Sequence, residues 1–73
     1  MSYNKGSIVK ISQYIENENY INYMDIELKI TRISRNTSDH PLYDDSVGQP
    51  LYDLCVASTG EAVPFCLYKY ELQ

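Results

Sequence analysis

The feature that most constrains this 73-residue chain is a β-hairpin pattern within residues 51–67. Residues 52–57 (YDLCVA) alternate between large apolar and small or polar side chains, which is the period-two pattern of a strand with one buried face. Turn-forming residues around Gly60 interrupt the pattern, and residues 62–67 (AVPFCL) resume it. The chain is therefore expected to fold around a pair of antiparallel strands.

A tight turn at Thr59 and Gly60 sets the predicted register of these two strands. The directly opposed apolar pairs are then Val56 with Val63, Leu54 with Phe65, and Tyr52 with Leu67. A slip of one residue would set these side chains against small or polar ones, so the pattern selects this register. Pro64 cannot donate a ladder hydrogen bond, which predicts a strand that is short, bulged or at an edge at that point.

Two further strands are predicted in the N-terminal half. In KGSIVKI, residues 5–11, a turn glycine precedes a β-branched run. In IELKITRIS, residues 26–34, apolar and polar residues alternate until Arg32 stands where an apolar residue is due. This break predicts a bulge or bend between Thr31 and Ile33.

The end of the chain completes the predicted fold. Residues 67–70 are too few for a stable α-helix and predict one 3₁₀ turn, followed by a short closing strand at residues 71–72. The start KGSIVKI and the end VPFCLYKYELQ resemble short, mostly uncharacterised SH3-like proteins of bacteria and their phages. The resemblance implies a single all-β domain over residues 1–73, a five-stranded SH3-like small barrel with one 3₁₀ turn before the last strand. No catalytic motif comes with it.

Charge narrows the expected partners. Ten acidic and six basic residues give a net charge of −4, and the basic residues are dispersed along the chain. An acidic surface repels phosphate backbones, so we expect no direct binding to nucleic acid. The start of the sequence has no apolar signal segment and no run reaches membrane-spanning length, so we expect a cytoplasmic protein without a membrane partner.

The residues that could carry chemistry do not form a recognisable catalytic pattern. Asp53, Cys55 and Cys66 lie on one face of the predicted hairpin. On that face Cys55 and Cys66 are diagonal neighbours, roughly 7 Å or more apart, so reduced thiols are expected. Ser38, Asp39 and His40 are sequence neighbours and cannot form a triad, and His40 is expected to hydrogen-bond within its own loop. With one histidine and no CxxC pair, no zinc site is expected. We therefore predict a non-enzymatic protein with no catalytic residue, cofactor or metal.

Two long loops are the candidate binding surfaces. Residues 13–25 are polar and carry three tyrosines, with a spacing that allows one helical turn, and residues 35–49 form an unusually long connection. The candidate partner-binding residues in these loops are Tyr14, Tyr20, Tyr23, Tyr43, Asp44 and Asp45. The competing interpretation is that the loops are solvated and that tyrosines such as Tyr43 fold back onto the barrel.

These observations favour a small protein-interaction module that binds a partner with a basic surface through its tyrosine- and aspartate-rich loops. Two alternatives stay open at this point. One is a phage-type acidic inhibitor, or nucleic-acid mimic, of a host enzyme. The other is a homo-oligomeric structural protein. This alternative stays open because the sequence does not determine the oligomeric state.

Overall fold

The computed structural model describes residues 3–15 and 17–73. In this part of the chain the fold is all-β, as predicted, with one curled antiparallel sheet that forms a half-barrel. The four strands, in sheet order, are β1 (Ile8–Val9), β2 (Leu28–Ser34), β3 (Leu51–Val56) and β4 (Leu67–Tyr68). Two 3₁₀ helices, Glu18–Tyr23 and Lys69–Glu71, complete the described elements.

The prediction of five strands is met only in part by the described residues. The expected closing strand is reduced to a single bridge between Leu72 and Ile11. The 3₁₀ turn before it, predicted over residues 67–70, lies at Lys69–Glu71, because Leu67 and Tyr68 pair with β3. The expected strand over residues 62–67 is also interrupted, because Pro64 has no N–H to donate to the ladder. Pairing therefore stops after a bridge at Ala62 and resumes at Leu67.

The register of the hairpin is confirmed at one end and shifted at the other. Tyr52 pairs with Leu67 as predicted. Nearer the turn Cys55 pairs with Ala62, so the predicted pairs there are wrong by two residues. The chain bends at residues 64–66, and this bend accommodates the two extra residues between the two registers. Because a shift of two residues preserves the alternation of faces, the core side of the hairpin is the predicted one.

The irregularity predicted in β2 is a bulge. Ile30 pairs with Leu54 and Arg32 pairs with Asp53, which leaves Thr31 as an extra residue between them. Such an insertion bends a strand and increases its twist, which helps the short sheet to curl. It also turns Arg32 away from the core side that Ile30 occupies.

The core lies on the inner face of the curled sheet. Its members are at most 8% exposed and are Val9, Ile11, Leu28, Ile30, Tyr52, Leu54, Val63, Leu67 and Leu72. The predicted helical turn of the first loop is confirmed as the 3₁₀ helix Glu18–Tyr23, whose N-cap Asn17 accepts a hydrogen bond from the Asn19 amide. The aromatic rings of this helix pack against Phe65, so the first loop covers one side of the core.

The outer face of β3 is buried as well, although the sequence predicted only one buried face. Leu51 and Cys55 point away from the core, and both are buried. The 35–49 loop folds back over this side of the hairpin. Its Tyr43 ring lies edge-on to Tyr68 with centroids 6.0 Å apart, and the Tyr43 hydroxyl donates to the Gln49 carbonyl oxygen at 2.8 Å.

Candidate functional site

An open groove of about 390 Å³ lies between the 35–49 loop and residues 64–68. Its walls are mostly apolar and are formed by Leu42, Leu51, Pro64, Phe65 and Tyr68, while His40 and Cys66 supply polar atoms. A concave, largely apolar surface with a few polar groups is the usual form of a binding site. We call this feature the outer groove.

The tip of the 35–49 loop stands beside the outer groove and is held in place by backbone contacts. Leu42 is 78% exposed, whereas the next residue, Tyr43, points inward and is 8% exposed. The Asp44 amide then donates to the Tyr68 hydroxyl at 2.9 Å, which fixes the tip against one wall of the groove. The Tyr43 ring and the Asp44 amide therefore anchor the tip, while the side chains of Leu42, Asp44 and Asp45 are exposed.

The Asp44 carboxylate is ionised at neutral pH. Its Oδ1 accepts hydrogen bonds from the Ser46 hydroxyl at 2.6 Å and from the Ser46 amide at 2.9 Å. These two bonds, the hydroxyl first, lower the pKa of Asp44 below its usual value. With the exposed Asp45 beside it, the tip presents negative charge next to an apolar groove.

The six predicted partner-binding residues divide into an exposed and a packed group. Tyr14 is 82% exposed, and Asp44 and Asp45 are also exposed. The other three contact the domain itself. Tyr43 is buried under its own loop, so the competing interpretation of a ring folded back onto the barrel is the observed one.

Tyr20 and Tyr23 hold the first loop against the sheet. The Tyr20 ring stacks on Phe65 with centroids 4.3 Å apart, and the Tyr23 ring meets Phe65 edge-on at 5.4 Å. The Tyr20 hydroxyl donates to Glu71 Oε2 at 3.3 Å. Burial, followed by the charge and the hydrogen bond of Glu71, raises the pKa of Tyr20 to about 12. Whether these two rings also touch a partner stays a prediction.

Three side chains from separate segments meet next to the outer groove: His40 of the loop, Asp53 of β3 and Cys66 of the stretch before β4. Cys66 Sγ donates to Asp53 Oδ1 at 2.7 Å. His40 Nε2 lies 3.3 Å from Cys66 Sγ and 3.8 Å from Asp53 Oδ1. We call this group the His–Asp–Cys cluster, and all three of its members are half-buried.

Hydrogen bonding determines where the protons of this cluster lie. The Leu42 amide donates to His40 Nδ1 at 3.1 Å, so the neutral ring carries its proton on Nε2, the nitrogen that faces Cys66. Burial, followed by the hydrogen bond to Asp53 and its charge, raises the pKa of Cys66 to about 12. The thiol is therefore protonated at neutral pH, and a protonated thiol is a poor nucleophile.

Sequence reasoning predicted parts of this cluster but not the whole. It placed Asp53 and Cys66 on one face of the hairpin, and their hydrogen bond confirms that shared face. It expected a hydrogen bond for His40 within its own loop, and the Leu42 amide provides one. It did not bring His40 to the hairpin, because no periodic pattern determines the path of the loop. The expectation of no zinc site was based on thiol and imidazole ligands alone and left out the carboxylate of Asp53.

Comparison with known proteins gives no relative from which a role could be transferred. No protein-family model, curated protein or solved structure matches this chain. Over residues 3–15 and 17–73, no helix is both long enough and apolar enough to cross a membrane. The outer groove and the His–Asp–Cys cluster are therefore interpreted from their own geometry.

Proposed function

We propose that this protein is an SH3-like small barrel that works as a non-enzymatic protein-interaction module. The outer groove receives a short segment of a partner protein that carries a large apolar side chain next to lysine or arginine. The observation that carries the proposal is the pairing of an apolar groove with the exposed carboxylates of Asp44 and Asp45 beside it. The all-β curled sheet and its terminal 3₁₀ turn are compatible with the SH3-like arrangement.

The apolar part of the proposed contact is centred on Leu42. This side chain lines the groove while most of its surface is exposed to water. Complete burial of a leucine side chain is worth about 1.5–3 kcal/mol, so a partner that covers Leu42 gains affinity from that burial. Because the buried Tyr43 already holds the tip in place, little further ordering of the loop is needed on binding.

The charged part of the proposed contact selects the partner. The net charge of −4 and the acidic tip attract a basic segment and repel an acidic one. Such contacts at the rim of an interface mainly increase the association rate, and added salt screens them. We therefore expect moderate salt dependence together with a requirement for the apolar side chain.

The proposal can be tested by selecting peptides from a random display library on the purified chain. We expect enriched peptides to combine a large apolar residue with neighbouring lysine or arginine. Leu42→Ser should weaken their binding at least about tenfold, which corresponds to about 1.4 kcal/mol. The matched control is Ile8→Ser, which removes another exposed aliphatic side chain, on β1, and should leave binding unchanged.

Other outcomes would contradict the proposal in distinct ways. Equal losses for Leu42→Ser and Ile8→Ser would show that the outer groove is not the binding site. Selected peptides without basic residues would show that the acidic tip does not select the partner. Binding that collapses with salt but ignores Leu42→Ser would favour the acidic inhibitor or mimic. A solution mass well above the 8.5 kDa of one chain, without peptide, would favour the homo-oligomeric alternative.

A further inference from the structure

We propose that the His–Asp–Cys cluster binds a divalent transition-metal ion, with Zn²⁺ as the preferred ion, through His40 Nε2, Asp53 Oδ1 and Cys66 Sγ. Imidazole nitrogen, carboxylate oxygen and thiolate sulfur are the three ligand types that Zn²⁺ takes in proteins. This site departs from the sequence-based expectation of no metal. It does not rest on the interaction role proposed above, because the chain alone supplies all three ligands.

Two of the three separations between the donor atoms lie within about 0.5 Å of those of a tetrahedral zinc site. Bond lengths of about 2.0–2.3 Å around a tetrahedral ion place the donor atoms about 3.3–3.6 Å from one another. The separation from His40 to Cys66 is 3.3 Å, and that from His40 to Asp53 is 3.8 Å. The separation from Cys66 to Asp53 is shorter, 2.7 Å, because the thiol proton lies between the two atoms. When an ion replaces that proton, side-chain shifts of less than about 1 Å complete the tetrahedral geometry.

The ligands are held by elements that are already ordered. Asp53 belongs to β3, and Cys66 directly precedes β4, which pairs with β3. The position of His40 is fixed through the residue before it, because the guanidinium of Arg32 on β2 donates to the carbonyl oxygen of Asp39. Ligands that are positioned before binding lose little conformational freedom when the ion arrives.

The charge and the exposure of the cluster also suit a metal ion. A carboxylate and a thiolate together neutralise a divalent cation, and a coordinating thiol gives up its proton to the metal. All three ligands are half-buried, but His40 and Cys66 line the outer groove, so an ion can enter from solvent. Three protein ligands leave the fourth coordination position of zinc to water or to an external group.

The alternative is that the cluster is only a hydrogen-bonded latch for the 35–49 loop. In the latch, the Leu42 amide donates to His40 Nδ1, and the protons on His40 Nε2 and Cys66 Sγ complete the chain to Asp53. Metal coordination through Nε2 moves the ring proton to Nδ1, so the Leu42 amide loses its acceptor. The two states therefore differ at the backbone of Leu42, and an amide resonance can report that difference.

The test is a titration of the reduced full chain with Co²⁺, a spectroscopic substitute for Zn²⁺, followed by displacement with Zn²⁺. We expect one ion per chain, a thiolate-to-cobalt charge-transfer band, and loss of that band when Zn²⁺ is added. Cys66→Ser should abolish the band, and Asp53→Asn and His40→Gln should each weaken binding at least about tenfold. Zn²⁺ should also shift the Leu42 amide resonance. The matched control is Cys55→Ala, which removes the other free thiol and should leave the titration unchanged.

Several results would overturn the site. These are the absence of a charge-transfer band, a band that persists in Cys66→Ser, a band that disappears in Cys55→Ala, and an unmoved Leu42 amide. If a ligand variant fails to fold, the site is tested instead by the rate of Cys66 alkylation in the Cys55→Ala variant, measured with and without Zn²⁺. Zn²⁺ should slow alkylation of Cys66 at least about tenfold, because a bound thiolate is shielded from the reagent. An unchanged alkylation rate would refute the site, and because none of these assays uses a peptide, failure of the interaction role does not affect them.

Discussion

The two faces of β3 are both buried, but by different means. The inner face packs against apolar side chains that come from every other strand of the sheet. The outer face is covered by one long loop, which is held by directed contacts such as those of the Asp44 amide with the Tyr68 hydroxyl and of His40 with Cys66. Apolar area makes the inner face stable, whereas a few specific contacts organise the outer face. Both candidate sites lie on the outer side, where polar groups can be positioned without entering the core.

The largest expected effect tests the inner face. Ile30 is 1% exposed, and Ile30→Ala should cost about 2–5 kcal/mol of unfolding free energy, because it leaves a cavity in the core. A domain of this size is expected to have only about 4–11 kcal/mol in total, so the variant should lose a large part of its stability. The measurement is urea denaturation. Lys29→Ala, at the exposed neighbouring position, should change the stability by less than about 0.5 kcal/mol.

A smaller effect is expected on the outer face. Tyr43→Ala should lower the unfolding free energy by about 2–4 kcal/mol. This loss is near or below the range for aromatic truncations in a core, because a loop can collapse around the vacated space. Tyr43→Phe keeps the ring and removes only the hydroxyl that bonds to Gln49, so it should cost about 0.5–1.5 kcal/mol. Thermal melting of both variants provides the check. A melting temperature of Tyr43→Ala equal to that of the wild type would show that the loop does not cover the outer face in solution.

The smallest effect concerns one polar contact at the margin of the inner face. Burial and Glu71 raise the pKa of Tyr20 to about 12, whereas an unfolded tyrosine ionises near 10. Between these values the unfolded chain releases a proton that the folded chain retains. The stabilising contribution is therefore complete below about pH 10 and is lost as the pH rises through about 12.

Tyr20→Phe isolates this contribution, because it keeps the stacked ring and removes the hydroxyl bonded to Glu71. Urea midpoints measured from pH 9 to 12 should fall less steeply for the variant than for the wild type. Parallel curves would mean that the tyrosine hydroxyl and Glu71 are not coupled. In that case the inner face would depend on apolar packing even at its margin, and the contrast between the two faces would be greater.

The features that the sequence predicted correctly all depend on local patterns. The alternation of apolar and polar residues predicts which side chains lie on the inner face of β2 and β3, and the break of that alternation at Arg32 predicts the bulge. The turn glycine Gly60 has a φ of +78° and its amide bonds to the Val56 carbonyl oxygen, as a residue without a Cβ permits. In each case the deciding information lies within a few residues of the element.

The features that the sequence did not predict depend on contacts between distant segments. The register near the turn shifted because Pro64 removes one ladder donor, and the alternation pattern is the same for the true and the predicted pairing. His40 reaches Cys66 across 26 positions of the chain, through a loop without periodicity. The outer groove and the His–Asp–Cys cluster could therefore not be located from residue types and spacing alone.

The bulge in β2 affects the curvature of the sheet but not the assignment of its side chains to the two faces. Without Thr31, residues 28–30 and 32–34 would form one regular strand, and each would keep its present partner in β3. The inward and outward assignment of every side chain would then be unchanged, while the local source of bending would be gone. The curvature of this half-barrel thus depends on the number of residues in β2. Substitutions that preserve that number can change the polarity of either face without straightening the strand.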